Sequence, residues 1–468
     1  ERATNASIAV HMAQQASIPL VLCIGQVQRD FLGRDSFQEM NYQQFYGGLC
    51  KAVFDINTVG EIENTLSDAF ATALNGRPGP VAIVFPEDVL KAFAESPTAE
   101  TKVTKRCVEI SAAEVNGSLH CIANAERPLI VAGGPLWSDS AANDLTAFAA
   151  RLKIPVLTAF RRNDVVDNYA DCFAGYLGLN QAAELTDTIA AADCILVLGP
   201  RLDEPTTGGY QLSGINKHAT QQWIHVYPQF DALKLAPKSN VSIETSPAAW
   251  LGHALETTAD ADFAVSDVRQ NWYQSCRQQF LASTKDEFHG KYDPALLNLP
   301  RVMTELNALL PDDAIVTSDA GNFTLWPQRL RLYRRPGRFL APINGAMGFG
   351  LPSGIAASLT YPNRTVVSFV GDGGFLMTGM ELSTAVKYGA KPIILVFNNA
   401  LYGTIDSHQR RDYPGREHGN ELHNPNFVDF AESFGAAAVR VKGVEDFANA
   451  LMQARQLDEL AVIELCLH

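Results

Sequence analysis

The chain has 468 residues, which at about 150 residues per domain points to three domains and excludes a single small module. Hydrophobic residues make up 47% and charged residues 19%, near the globular average, so there is apolar surface for several cores and intrinsic disorder is excluded. With 37 Lys and Arg against 51 Asp and Glu, a net charge of −14 and no basic block, no nucleic acid partner is expected. The longest apolar runs are strand-sized and well short of the roughly 18 residues that span a bilayer, so no membrane insertion is expected. The eight cysteines (23, 50, 107, 121, 172, 194, 276 and 466) show no CxxC and no regular spacing, and read as reduced thiols of a cytoplasmic protein.

The chain opens on Glu1 without an initiator Met and with a helical pattern over Ala3–Gln14, not a strand, so the first domain is expected to be incomplete at its N-terminus. Apolar runs follow at Pro19–Ile24 and Val81–Phe85. Between them, Thr58 with Glu61 reads as a capping box for a helix that Asn75, Gly76 and Pro78 stop. Lys91–Arg106 mixes Pro, Thr, Glu and Lys without an apolar period and reads as a linker. Runs at Leu129–Ala132, Ile154–Leu157, Cys194–Leu198 and Trp223–Val226 then alternate with helix-period segments up to a second linker at Ser283–Pro300. The last third repeats the rhythm at Thr365–Val370, Ile393–Phe397 and Ala461–Leu465. Strands apolar on both faces that alternate with helices predict parallel sheets covered on each side. The expectation is an α/β protein of three doubly wound domains, at residues 1–92, 107–265 and 290–468. Thr58–Phe85 and Gly443–Leu465 each read as an amphipathic helix feeding a buried strand, which relates the first domain to the third.

The stretch Thr365–Gly403 (TVVSFVGDGGFLMTGMELSTAVKYGAKPIILVFNNALYG) carries the chemistry. It reads as strand, glycine turn, helix, strand and turn, with Asp372 ending the first strand and Asn398 and Asn399 following the second. In a parallel βαβ unit both ends lie on the carboxyl edge of the sheet, where ligands bind. A carboxylate, an amide and free backbone groups suit Mg²⁺, which completes its shell with ligand phosphates and water. Gly373 and Gly374 let the backbone approach those phosphates, and the start of the following helix favours their charge. A lone GDGG is most simply a tight turn; the Asn pair on the next strand is what singles it out. No GxGxxG opens a helix here, so a dinucleotide site is a poorer fit.

GDG followed by NN at this spacing resembles the thiamine diphosphate motif, and nearly the whole chain resembles the acetohydroxyacid synthase and 2-oxo acid decarboxylase superfamily. Ala3–Asn5 resembles the end of its GPGATN turn, Gly25–Val27 its GQV, Gly33–Glu39 (GRDSFQE) its substrate-side loop, Gly76–Pro80 (GRPGP) the end of its pyrimidine-binding domain, and Gly345–Pro352 (GAMGFGLP) the segment beneath the cofactor. The resemblance implies metal ligation by Asp372, Asn399 and the Leu401 carbonyl. It implies cofactor contacts at Asn5 and Gln26 in the first domain, and at Ala320, Gly321, Asn322 and Phe323 in a second diphosphate loop, Asp319–Phe323. Further contacts are implied at Gly345, Gly371, Gly373 and Gly374, and at Tyr402, Gly403 and Thr404 after the Asn pair. Met347 matches the bulky residue that wedges thiazolium against aminopyrimidine, although an apolar Met is otherwise most simply core. Gln38 and His408 are the implied substrate-facing residues; His is the usual proton shuttle near neutral pH, and a surface histidine in a mobile loop is the competing reading. The implied cofactors are thiamine diphosphate and Mg²⁺, with a 2-oxo acid or related small molecule as substrate and a homodimer or homotetramer as assembly.

Three departures stand out. The family's catalytic Glu lies upstream of GPGATN and is absent from these 468 residues, which leaves a cofactor-binding chain without catalysis as an alternative. Asp203, Glu204 and Pro205 occupy the segment where acetohydroxyacid synthases carry Asp-Asp-Arg, and His408 replaces a Trp, so poor acetolactate formation with a different donor or acceptor is expected; a simple 2-oxo acid decarboxylase is the other alternative. The loop His408–Gly415 (HQRRDYPG) resembles an acetolactate-synthase-like subgroup. The middle domain resembles one that holds FAD in some members; Trp223–Pro228 lacks their usual acidic residue, so FAD is allowed but not favoured.

Overall fold

A computed structural model describes residues 2–94, 109–179, 181–211, 221–233, 239–259, 265–284 and 297–467. Of the two expected linkers, residues 95–106 and 285–296 lie outside the described residues. Fifteen strands among the described residues form three sheets, and the strand pairs are parallel.

The first sheet holds β1 (Leu20–Gln26), β2 (Val53–Asp55) and β3 (Pro80–Pro86) in the order β1-β3-β2. The second holds β4 (Pro128–Ala132), β5 (Val156–Thr158), β6 (Phe173–Tyr176), β7 (Cys194–Leu198), β8 (Gln222–Tyr227) and β9 (Val241–Glu244), in the order β6-β5-β4-β7-β8-β9. The third holds β10 (Ile315–Ser318), β11 (Phe339–Leu340), β12 (Val366–Gly371), β13 (Ile393–Asn398), β14 (Ala437–Val441) and β15 (Ala461–Cys466), in the order β11-β10-β12-β13-β15-β14. Each sheet has a core on both faces. Along β13, Ile393, Leu395 and Phe397 enter one cluster while Ile394 and Val396 enter the other, which is why that run is apolar throughout.

Several local expectations are corrected. The helical pattern at the start is two helices, Arg2–Asn5 and Ser7–Ala16. The Thr58 capping box does not form: the Thr58 side chain caps no backbone N–H, a 3-10 turn precedes the helix Ile62–Leu74, and Glu61 accepts from Asn57 N at 2.9 Å. His408 does not lie in a loop but on the helix Gly403–Asp412. No helix of the described residues is long and apolar enough to cross a membrane. The seven described cysteines are free thiols, and burial pushes those of Cys172, Cys194 and Cys276 up to about 12.

The three sheets are docked through polar contacts. Arg201 Nη2 donates to Gln15 Oε1 at 2.7 Å and Gln229 Oε1 accepts from Arg77 N at 3.0 Å, tying the first and second. The buried strap 161–168 ties the second to the third: Asn163 Nδ2 donates to Gln328 O at 3.0 Å, Asn168 exchanges bonds with the Tyr333 backbone at 2.8 and 2.9 Å, and Asp164 Oδ2 accepts from Arg338 N and Phe339 N. Arg161 donates to the Pro342 carbonyl, and Asn344 Nδ2 meets His11 Nδ1 of the first domain at 3.1 Å.

Candidate active site

In the third sheet the chain runs from β10 to β11 on one side and returns to β12 on the other, so β10 and β12 flank a topological switch point. Ligands bind there in open α/β sheets. Asp319 follows β10, Asp372 follows β12, and Asn399 follows β13.

Asp319 is fully buried. Its Oδ1 accepts from Ala320 N and Phe349 N at 3.0 Å, and its Oδ2 from Gly348 N at 2.9 Å. Burial pushes its carboxyl above the usual range, against those backbone bonds. Asp319 thereby fastens the segment that carries Met347 to the end of β10. The helix Gly350–Thr360 behind that segment lies close on the sheet, because a Cβ at Gly354 would stand 1.9 Å from Ser368 Oγ. Gly345 and Gly348 have φ of +71° and +79°, a region that favours glycine, and Met347 between them is 36% exposed.

Asp372 is 3% exposed. Its Oδ2 accepts from Ala400 N at 2.7 Å and Asn424 Nδ2 at 2.9 Å, while its Oδ1 accepts, among the described residues, from Gly373 N alone, at 2.9 Å. A Cβ at Gly374 would stand 2.1 Å from Asp319 Oδ2, and one at Gly373 2.6 Å from the Tyr402 ring, so this turn has room for backbone alone. Asn399 Oδ1 accepts from Leu401 N at 3.2 Å. Leu401 bridges Glu421, and the bridging bonds end on the carbonyls of Ala400 and Asn420, so the Leu401 carbonyl is not used by them. Beyond it, Thr404 Oγ1 donates to Asn322 Oδ1 at 3.0 Å and Asn322 Nδ2 to Ser407 Oγ at 3.3 Å, joining the second diphosphate loop to the start of the helix Gly403–Asp412. The Phe323 ring leaves no space for a Cβ at Gly321 or Gly371.

The structure thus gathers Ala320–Phe323, Met347, Gly371–Gly374, Asn399 and Leu401–Thr404 on one edge of the third sheet. Asn5, Gln26 and Gln38 belong to the first domain and do not join that cluster. Gln26, at the end of β1, donates to Met40 O at 2.6 Å. Gln38 is exposed with φ of +69°, in a loop that Glu39 organises by accepting from Gly33 N at 2.5 Å and Ser36 N at 3.0 Å; those bonds hold the Glu39 carboxyl below its ordinary value. Asn5 and His408 are both exposed. Sequence reading did not single out Asn424 or the gripping role of Asp319. Asn424 lies 52 residues beyond Asp372, in a polar stretch where only the Asn-Pro step is a signal.

The donor set of one carboxylate, one amide and one carbonyl suits Mg²⁺; among the described residues no group of three His, Cys, Asp or Glu could hold a softer metal. At the switch point of the second sheet a Cβ at Gly134 would stand 1.9 Å from Gly199 O, and Arg162, Arg201 and Tyr227 are among the residues that line a cavity of about 50 Å³ there.

Residues 319–465 match the family model of the C-terminal TPP binding domain of thiamine pyrophosphate enzymes, and residues 115–253 match that of their central domain. The chain is 28% identical over 438 residues to acetolactate synthase isozyme 2 large subunit of Escherichia coli, covering 92% of this chain and 76% of that one. It is 27% identical over 475 residues to an acetolactate synthase large subunit of Corynebacterium glutamicum (98% and 74% covered) and 28% identical over 475 residues to the mitochondrial acetolactate synthase of Schizosaccharomyces pombe (96% and 70%). Both matched regions are domains of one family, and the chain belongs to the thiamine pyrophosphate-dependent enzymes, in the acetolactate synthase-like family.

Proposed function

We propose that this enzyme uses thiamine diphosphate and Mg²⁺ to decarboxylate, or cleave a C–C bond of, a 2-oxo acid or related small donor, and ligates the product to an acceptor. The observation that carries the reading is the convergence of the Asp372 carboxylate, the Asn399 amide and the Leu401 carbonyl beside a turn that only glycine fits. These three groups would hold the metal, and the backbone around Gly373 and Gly374 would face the diphosphate. When bound, the cofactor supplies the electron sink; the protein supplies orientation and electrostatics. Asp319 holds Met347 in place through Gly348 and Phe349, as a wedge must be held. Exposed apolar side chains on the turns after Asp372 (Met377 and Met380) and in the first domain (Phe31, Phe37 and Phe45) support a homodimer or homotetramer in which Asn5, Gln26 and Gln38 serve a partner's site.

The relatives' names point to acetolactate, but two residues favour another donor or acceptor. Pro205 cannot donate the hydrogen bonds an Arg would offer a second carboxylate, and His408 presents less apolar surface than Trp; losing a charged partner costs about 1.5–3 kcal/mol. With Mg²⁺ and thiamine diphosphate, a panel of 2-oxo acids should give CO₂ from at least one member, lost when either cofactor is omitted, with poor acetolactate formation from pyruvate. Failure across the whole panel overturns the activity; efficient acetolactate formation overturns the specificity alone.

A further inference from the structure

Glu464 lies near the carboxyl end of β15, 1% exposed, on the face that Val462 presents to an apolar cluster. Burying a carboxylate costs several kcal/mol unless its oxygens are bonded. Both are. Oε2 accepts from Arg440 Nε at 2.8 Å across the β14–β15 register, and Oε1 accepts from Asn398 Nδ2 at 2.7 Å. An ionised carboxylate only accepts, so Asn398 must turn its NH₂ towards Glu464 and its Oδ1 away. That Oδ1 accepts from Ala400 N at 3.2 Å and Asn424 Nδ2 at 2.9 Å, so Asn424 must in turn direct its NH₂ inward, where the second hydrogen reaches Asp372 Oδ2 at 2.9 Å.

We propose that Glu464, acting through Asn398 and Asn424, is a positioning residue for Asp372: its charge orients two amides in series, which pin Oδ2 and leave Oδ1 for the metal. The inference rests on the proposed Mg²⁺ site and extends it beyond the residues that touch metal or cofactor. Arg440 is not part of the relay. It is half-exposed, its second bond goes to Asn426 Oδ1 at 2.8 Å, and it stands on the far side of Glu464 from Asp372.

The test compares Glu464→Gln, Asn424→Ala and Arg440→Gln in the full chain, with Mg²⁺ affinity measured by calorimetry in the presence of thiamine diphosphate and the unfolding midpoint measured alongside. Glu464→Gln lets the amide present either end to Asn398, and Asn424→Ala removes the last link. Each should weaken Mg²⁺ binding by about tenfold or more, as loss of a partner behind a metal ligand does. The double variant should be no worse than the weaker single one, because both break one chain. Arg440→Gln should lower the midpoint with less than about a threefold effect on Mg²⁺, well short of the loss expected from the relay. Unchanged Mg²⁺ affinity in Glu464→Gln and Asn424→Ala, with only the midpoint falling as in Arg440→Gln, overturns the relay and leaves a structural ion pair. Should Glu464→Gln not fold, the half-buried Asn424→Ala decides. Absence of binding in the parent protein would instead remove the metal site itself.

Discussion

His225 is a single group with a calculable effect on stability. It sits on β8, 1% exposed, with Nε2 2.9 Å from Pro200 O and Nδ1 without a partner among the described residues. Burial lowers its pKa from the ordinary 6.5 to about 4, against the Pro200 bond, which raises it. The folded value lies below the unfolded one, so the unfolded chain binds the extra proton between pH 6.5 and 4. The stabilisation is complete above pH 6.5 and is lost as the pH falls towards 4. At pH 5 the loss is about 2 kcal/mol. Urea denaturation at pH 7 and pH 5 should show the gap between the two shrink by that amount in His225→Gln; an unchanged gap would assign the acid sensitivity elsewhere. At this scale the sequence was legible where a residue belongs to a local motif. Asp372 and Asn399 stand out because the turn and the strand around them are contiguous. Asn424 and Glu464 do not, because their roles arise from contacts 52 and 66 residues away.

Among the elements, legibility followed position in the sheet. Apolar runs marked every interior strand of the second and third sheets except β10. The other strands that escaped, β2, β6, β9, β11 and β14, are all edges. An edge strand needs no continuous apolar run: β9 and β14 bury only alternate or terminal residues, β11 spans two residues, and Gly175 interrupts β6. The helix Gly403–Asp412 escaped for a related reason. It is polar nearly all round and precedes a Pro-Gly step, so periodicity is silent. It is held instead by the Asp406–Arg410 pair at 2.7 Å and by Asn420 Nδ2 on Asp406 Oδ1 at 2.7 Å, next to the Leu401–Glu421 bridge. Asp406→Ala should therefore quicken amide exchange across residues 401–422 and leave β12 and β13 protected, read by hydrogen exchange with mass spectrometry. A uniform rise, or none, would show that Asp406 does not hold this element.

The molecule as a whole is joined by polar contacts that no sequence pattern announces, since the strap 161–168 meets partners about 165 residues away. Asn168 is its most connected member. It is 1% exposed, its Oδ1 accepts from Tyr333 N, and its Nδ2 donates to Asn163 O and Val166 O. Each buried group left unpaired costs about 1–3 kcal/mol. Asn168→Ala should split thermal unfolding, followed by calorimetry, so that the second and third domains melt apart. A single transition of unchanged shape would mean that the strap is not what couples them.

The segment Pro342–Phe349 is gripped by each domain in turn: Arg161 of the second holds the Pro342 carbonyl, His11 of the first meets Asn344, and Asp319 of the third holds Gly348 and Phe349. Met347 cannot relax by local fraying while these anchors stand. The working lifetime of the enzyme at high temperature is then set by how fast the domains come apart, a step whose rate rises steeply on heating, and not by the softness of the segment itself.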